Sequence, residues 1–175
     1  MDDETNRQYS RAPEIEDLTA LCRSLNTCGV KYILIGGFAI ILHGFVRGTK
    51  DIDLLVDPSI DNVKKIKRAL SFLPDNVISL IKEDEIEKFS VVRVADEFVI
   101  DLMANACGVD FEKAWKSIEY ILVEGVEIPV PSMEMLIQMK NTLRPSDQMD
   151  VEFLKLSLEE MNRRKKRNKN SDPKV

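Results

Sequence analysis

Apolar residues Ile15, Leu18, Leu21, Cys22, Leu25 and Cys28 recur at three- and four-residue intervals from Glu14 onward, the spacing of one helix face, and Gly29 supplies the stop. Val30 to Ile35 reads as a buried strand, broken by Gly36-Gly37. Phe38 to Leu42 then gives a short apolar helix ending near His43-Gly44, Phe45 to Lys50 a connection, and Ile52 to Val56 a second strand stopped by Asp57-Pro58. Ser59 is placed to cap a helix whose Ile60, Val63, Ile66, Leu70 and Leu73 face inward while Lys64, Lys65, Lys67 and Arg68 stay wet. Residues 77–89 carry a mixed, partly helical pattern. Ser90 to Val94 and Phe98 to Leu102 read as strands joined tightly through Ala95-Asp96-Glu97. Asp110 to Lys116 is predicted helical, and Ile118 to Val123 and Val126 to Val130 extended. Pro131-Ser132 opens a helix through Leu143, and Ser146 caps a last helix striped by Val151, Leu154, Leu158 and Met161. The expectation is an α/β (α+β) domain: a small mixed sheet flanked by helices, with a short helical C-terminal portion from about residue 132. Residues 1–13 read as a flexible N-terminus, 14–162 as one domain and 163–175 as a basic, solvated, flexible tail.

Composition narrows the class without changing that architecture. At 175 residues, 44% apolar and 31% charged, the chain can bury a core without disulfides or a structural metal, and no apolar run approaches the roughly 20 residues of a membrane span. The opening MDDETNRQYSRAPE lacks the basic-then-apolar order of a secretory signal, so a cytoplasmic protein with no membrane partner is expected. Cys22, Cys28 and Cys107 suit neither a disulfide framework nor a zinc ribbon and read as free thiols. The net charge of −5 divides unevenly: residues 160–175 hold seven Lys/Arg and two Asp/Glu, leaving about −10 on the rest. So acidic a body is not a non-specific nucleic-acid binder by bulk charge, although the basic end could contact an RNA backbone or simply keep the chain soluble.

Candidate chemistry concentrates in KYILIGGFAIILHGFVRGTKDIDLLVD, residues 31–57. Asp51 and Asp53 lie one residue apart on a strand, so their carboxylates share a face. Two hard oxygen donors near a glycine turn that presents backbone N–H groups suit a magnesium–nucleotide site. No G-x-G-x-x-G and no G-x-x-x-x-G-K-[ST] occurs, which removes the dinucleotide-fold and P-loop readings.

Gly36-Gly37, thirteen residues, Asp51-Ile52-Asp53 and a later strand bearing Asp101 together resemble the signature of the nucleotidyltransferase superfamily typified by DNA polymerase beta. GGFAIILHGFVRGTKDIDLLV with VPSMEMLIQMKNTLRPSDQMDVEFL is similar to small nucleotidyltransferase-like proteins related to abortive-infection type IV toxins. The resemblance covers roughly residues 14–160. It implies transfer of a nucleoside monophosphate from a nucleoside triphosphate to a hydroxyl acceptor (an RNA 3′ end, a protein or a small molecule), with pyrophosphate release. It also implies two Mg²⁺ or Mn²⁺ ions on Asp51, Asp53 and Asp101, the last helping to activate the acceptor, and a cognate antitoxin as partner if the likeness to toxins extends that far. Gly36 and Gly37 would cradle the triphosphate, although many relatives carry Ser where Gly37 stands. Arg47 and Thr49 match an R-x-T-x-D-I-D pattern, and Lys140 matches a family lysine. Arg47 can contact phosphate or pair with a carboxylate, and Lys140 can contact the triphosphate or tie the last two helices together. His43 reads as a capping or buried hydrogen-bonding residue, and Trp115 and Tyr120 as packing residues rather than base-stacking ones. The alternative function is a weak or inactive member of this fold that binds a partner or RNA.

Overall fold

In the computed structural model, which describes residues 10–170, a four-stranded mixed sheet carries the expected site. The chain enters through helix α1 (Ile15–Thr27), whose Leu18, Leu21, Cys22 and Leu25 are fully buried, so that each apolar side chain contributes about 1.5–3 kcal/mol gross. Asp17 secures its start by accepting from the Glu14 N–H at 2.7 Å. Residues 10–13 are tied down, contrary to the loose N-terminus expected. Arg11 pairs with Phe98 in an isolated parallel bridge and forks onto Asp17 at 2.6 and 2.8 Å, and the Ser10 hydroxyl donates to the Asp96 carbonyl at 2.7 Å. The rest of the expected flexible N-terminus, residues 1–9, lies outside the described residues.

Strand β1 (Tyr32–Ile35) runs directly into helix α2 (Gly36–Leu42), and β2 (Asp51–Val56) returns antiparallel to β1. The glycine pair therefore forms the first residues of α2 and not a separate turn; Gly36 at φ +67° absorbs the change of direction. Helix α3 (Ile60–Leu70) follows, its Val63, Ile66, Ala69 and Leu70 buried and packed against α1. Ser59 precedes it as expected, but its hydroxyl makes no capping bond; its own N–H is held by Asp57 at 2.9 Å.

A 3₁₀ turn (Val77–Leu80) and a one-turn helix α4 (Glu85–Lys88) occupy the mixed stretch. Strands β3 (Val92–Ala95) and β4 (Val99–Met103) form the predicted hairpin, and β4 lies parallel to β2, giving the order β1-β2-β4-β3. Buried Asp96 fixes the hairpin loop by accepting from the backbone N–H groups of Asp75, Val77 and Glu97 at 3.1, 3.0 and 2.9 Å. Short strands β5 (Asn105–Ala106) and β6 (Val109–Asp110) lead into α5 (Phe111–Trp115), capped by Asp110. A separate ribbon of β7 (Ile118–Val123) and β8 (Val126–Pro131) packs β8 against β1.

Two helix ends differ from expectation. Helix α6 (Met133–Met139) stops four residues short of Leu143, because Lys140 leaves helical geometry and the Thr142 N–H turns back onto its carbonyl at 2.8 Å. Helix α7 (Pro145–Asn170) starts at Pro145, not after a Ser146 cap, in keeping with the preference of proline for a first helical turn. It also runs on through Arg163–Arg167, which are exposed, where the sequence suggested the helix had dissolved. The remainder of the expected flexible tail, residues 171–175, lies outside the described residues.

Candidate active site

Strand register assembles the centre. Ile35 on β1 faces Asp53 on β2, Asp53 faces Asp101 on β4, and Asp101 faces Arg93 on β3, so one row of side chains crosses the whole sheet. Asp51 sits two residues before Asp53 and so shares its face. The three carboxylates Asp51, Asp53 and Asp101 each present an oxygen within 4.8 Å of the others. Three hard oxygen donors without sulfur or nitrogen fit Mg²⁺ or Mn²⁺ rather than zinc or copper.

Close packing explains the glycines. A Cβ on Gly36 would lie 1.9 Å from Asp53 Oδ2 and 2.6 Å from its Cγ, so the carboxylate occupies the space a side chain would need. A Cβ on Gly37 would meet Thr49 Oγ1 at 2.6 Å. Thr49 therefore fills the volume beside Gly37 and is anchored there by donating to the Asp51 carbonyl at 3.1 Å. Burial first, then the charges of Asp51 and Asp101, push the Asp53 carboxyl up to about 7; Lys140 and the Gly37 N–H oppose the shift.

These groups open into a cavity of about 680 Å³. Residues 47–49 and the α6–α7 junction bring Arg47, Lys140, Arg144 and Asp147 to its lining; residues 90–91 and 103–107 add no charged side chain, and Arg93, paired with Asp101, lines it as well. All the sequence-predicted site residues, Gly36, Gly37, Arg47, Thr49, Asp51, Asp53, Asp101 and Lys140, line this one cavity. Arg47 and Lys140 are also engaged by carboxylates. Buried Asp150 receives Arg47 and, at 2.7 Å, Lys140, whose ammonium also reaches Asp147 at 3.1 Å. Of the alternatives for these residues, carboxylate pairing is formed, and both side chains also line the cavity. Against burial, which raises it, the Thr142 hydroxyl and Lys140 hold the Asp147 carboxyl below the ordinary range.

His43 takes the structural role, its Nε2–H donating to the Pro131 carbonyl at 3.0 Å and tying α2 to β8. Trp115 stacks on Phe111 with centroids 5.2 Å apart, and neither Trp115 nor Tyr120 lines the cavity. The three cysteines are free, Cys22 buried and Cys107 exposed at the cavity rim.

Sequence reasoning missed Arg93. Its Nε and Nη2 donate to Asp101 Oδ1 and Oδ2 at 2.8 and 2.7 Å, and Nη2 lies 3.6 Å from Asp51 Oδ2. The expected turn at Ala95-Asp96-Glu97 is centred on Asp96 and would set Val91 opposite Asp101; the observed hairpin is centred on Glu97, and that one-residue shift of register puts Arg93 there instead.

A mixed sheet carrying three carboxylates on adjacent strands, next to a glycine-started helix, defines the nucleotidyltransferase fold class. Residues 14–165 match the family described as a nucleotidyltransferase of unknown function (DUF6036), and the chain belongs to that family. Among solved structures it is similar to a lincosamide antibiotic adenylyltransferase, LnuA, in a lincomycin-bound form, at 19% identity and TM-score 0.53, covering 83% of this chain and 98% of that one. It is also similar to a candidate nucleotidyltransferase of Thermotoga maritima at 17% identity and TM-score 0.49, covering 90% and 93% of the two chains. An antigenic nucleotidyltransferase-like protein of Paracoccidioides brasiliensis aligns at 14% identity and TM-score 0.48, over 83% and 77%. No curated protein matches the chain. Among the described residues, no helix is long and apolar enough to cross a membrane.

Proposed function

We propose that this chain transfers a nucleoside monophosphate from a nucleoside triphosphate to a hydroxyl acceptor. The observation that carries the reading is the convergence of Asp51, Asp53 and Asp101 within 4.8 Å in a cavity with a cationic wall. The carboxylates would hold Mg²⁺ or Mn²⁺, which when bound neutralises charge on the attacking and leaving oxygens of an in-line displacement. Arg47, Lys140 and Arg144 line the side suited to the β- and γ-phosphates, and Thr49 with the start of α2 bounds the same side. The acceptor then approaches beside Asp101, where residues 90–91 and 103–107 line the cavity and Arg93 is the cation present. Its oxygen bonds to the α-phosphorus, the bond from that phosphorus to the bridging oxygen breaks, pyrophosphate departs, and Asp101 orients the hydroxyl or takes its proton. A cavity of about 680 Å³ is within the ordinary range for small-molecule sites, and the adenylyltransferase neighbour with bound antibiotic makes a small-molecule hydroxyl one candidate acceptor. An RNA 3′ end or a protein hydroxyl, and an antitoxin partner, follow from the likeness to toxins; the cytoplasm is the compartment proposed.

The test is incubation with each α-³²P nucleoside triphosphate, Mg²⁺ or Mn²⁺, and separate small-molecule, RNA and protein fractions of a cell extract. Label is expected in one fraction with native protein and in none with Asp51→Asn or Asp53→Asn. Equal labelling by the variants, or none by the native chain, refutes the reading. One observation favours the partner-binding alternative: Arg47 and Lys140 already share Asp150, leaving less cationic character for a triphosphate. In that case the native chain binds nucleotide or RNA without turnover.

A further inference from the structure

We infer that Arg93 is the resident counter-cation of this site, holding the place of a divalent ion between Asp101 and Asp51, so that divalent-cation binding and release of Arg93 are a single exchange. The inference rests on the metal-dependent reading above. Its guanidinium spans both oxygens of Asp101 at 2.8 and 2.7 Å and brings Nη2 to 3.6 Å from Asp51 Oδ2, the same two carboxylates that a cation in the cluster would share. Of the other cations lining the cavity, Lys140 and Arg47 are held by Asp150, with Lys140 also on Asp147, and Arg144 is paired with Asp147, whereas the ion pairs of Arg93 are to the triad. A divalent ion held by the cluster would compete with Arg93 for the oxygens of Asp101 and would be repelled by its positive charge. The two partners are unequally fixed. The Asp101 side chain is 7% exposed and the Arg93 side chain 60%, on the edge strand β3, so solvent can receive the guanidinium while the carboxylate stays in place. The exchange would keep the carboxylate cluster from repelling itself before metal arrives, at the expense of metal affinity, and the coupling is reciprocal by linkage.

The test is Mn²⁺ titration followed by the electron paramagnetic resonance signal of free Mn²⁺, for native protein, Arg93→Gln and Arg93→Lys, with and without α,β-methylene-ATP. Arg93→Gln should bind Mn²⁺ roughly two- to fivefold more tightly than native in at least one of the two conditions, the range expected for removing one partly exposed charge, with Arg93→Lys between them. In parallel, the Arg93 Nε–H resonance, assigned by its loss in Arg93→Gln, should shift toward a solvent-exposed position as Mg²⁺ saturates the native protein. Unchanged or weaker Mn²⁺ binding by Arg93→Gln in both conditions, or an Arg93 resonance indifferent to saturating Mg²⁺, overturns the exchange while leaving the metal site standing. If neither native protein nor folded Arg93→Gln binds Mn²⁺ in either condition, the metal-dependent reading itself fails, and the exchange with it.

Discussion

Replacing Gly36 by alanine isolates the close approach on which the site depends. Gly36 and Gly29 both have positive φ, +67° and +64°, so alanine at either position incurs the left-handed backbone penalty of about 1–2 kcal/mol. Their surroundings differ. Nothing lies within 4 Å of a Cβ on Gly29, whereas a Cβ on Gly36 overlaps the Asp53 carboxylate at 1.9 Å. Gly29→Ala should therefore cost about 1 kcal/mol, and Gly36→Ala a further 1–3 kcal/mol or so, the usual range for overpacking. Urea unfolding measures both. The corresponding melting temperatures should fall by roughly 2–4 °C and 5–15 °C for a chain of this length. Gly36→Ala should also displace Asp53 and weaken Mn²⁺ binding, which Gly29→Ala leaves untouched. Equal destabilisation by the two substitutions, with Mn²⁺ binding preserved in both, would show that the packing of Asp53 on Gly36 is not what fixes the carboxylate.

Burial and the neighbouring carboxylates push Asp53 up to about 7, so without metal the folded state binds this proton more tightly than the unfolded chain does. The resulting destabilisation is absent below the ordinary carboxylate range near pH 4, grows with rising pH and is complete above about 7. Stability in EDTA should decline across that window, more steeply for native protein than for Asp53→Asn; parallel profiles from chemical denaturation would contradict it. Asp150 is 1% exposed and receives Arg47 and Lys140, so Asp150→Ala leaves two cations short of a partner and should cost about 3 kcal/mol by urea midpoint. A loss below about 0.5 kcal/mol would mean that Asp147 alone suffices to hold Lys140 and the α6–α7 junction.

Local chemistry made most elements legible before any coordinates. The three- and four-residue spacing of α1 and α3 and the alternation around Asp51-Ile52-Asp53 are consequences of nearest-neighbour geometry, and the structure has them; the β3–β4 turn is present one residue later than the sequence suggests, at Asp96-Glu97-Phe98. The misread ends were decided at longer range. Residues 10–13 carry no pattern of their own and are held by Phe98, Glu97 and Asp96, more than eighty residues away in the chain. Helix α6 stops at Met139 because Lys140 and Thr142 turn toward Asp147 and Asp150 on the next helix. Helix α7 outlasts its apolar stripe because the basic stretch to Asn170 contains good helix formers and i,i+4 pairs such as Arg164 with Glu160.

The sequence alone determined which carboxylates could form a site, since strand periodicity puts Asp51 and Asp53 on one face and the family pattern adds Asp101. It could not say that Asp53 and Asp101 are direct neighbours, because the parallel pairing of β2 with β4 joins segments almost fifty residues apart. Nor could it set charge balance. Whether a lysine or arginine faces substrate or a buried aspartate depends on which side chains converge through space, and only the folded chain gave Arg47 and Lys140 to Asp150 and Arg93 to Asp101. Covalent order set the candidate carboxylates; sheet register and helix packing set their partners.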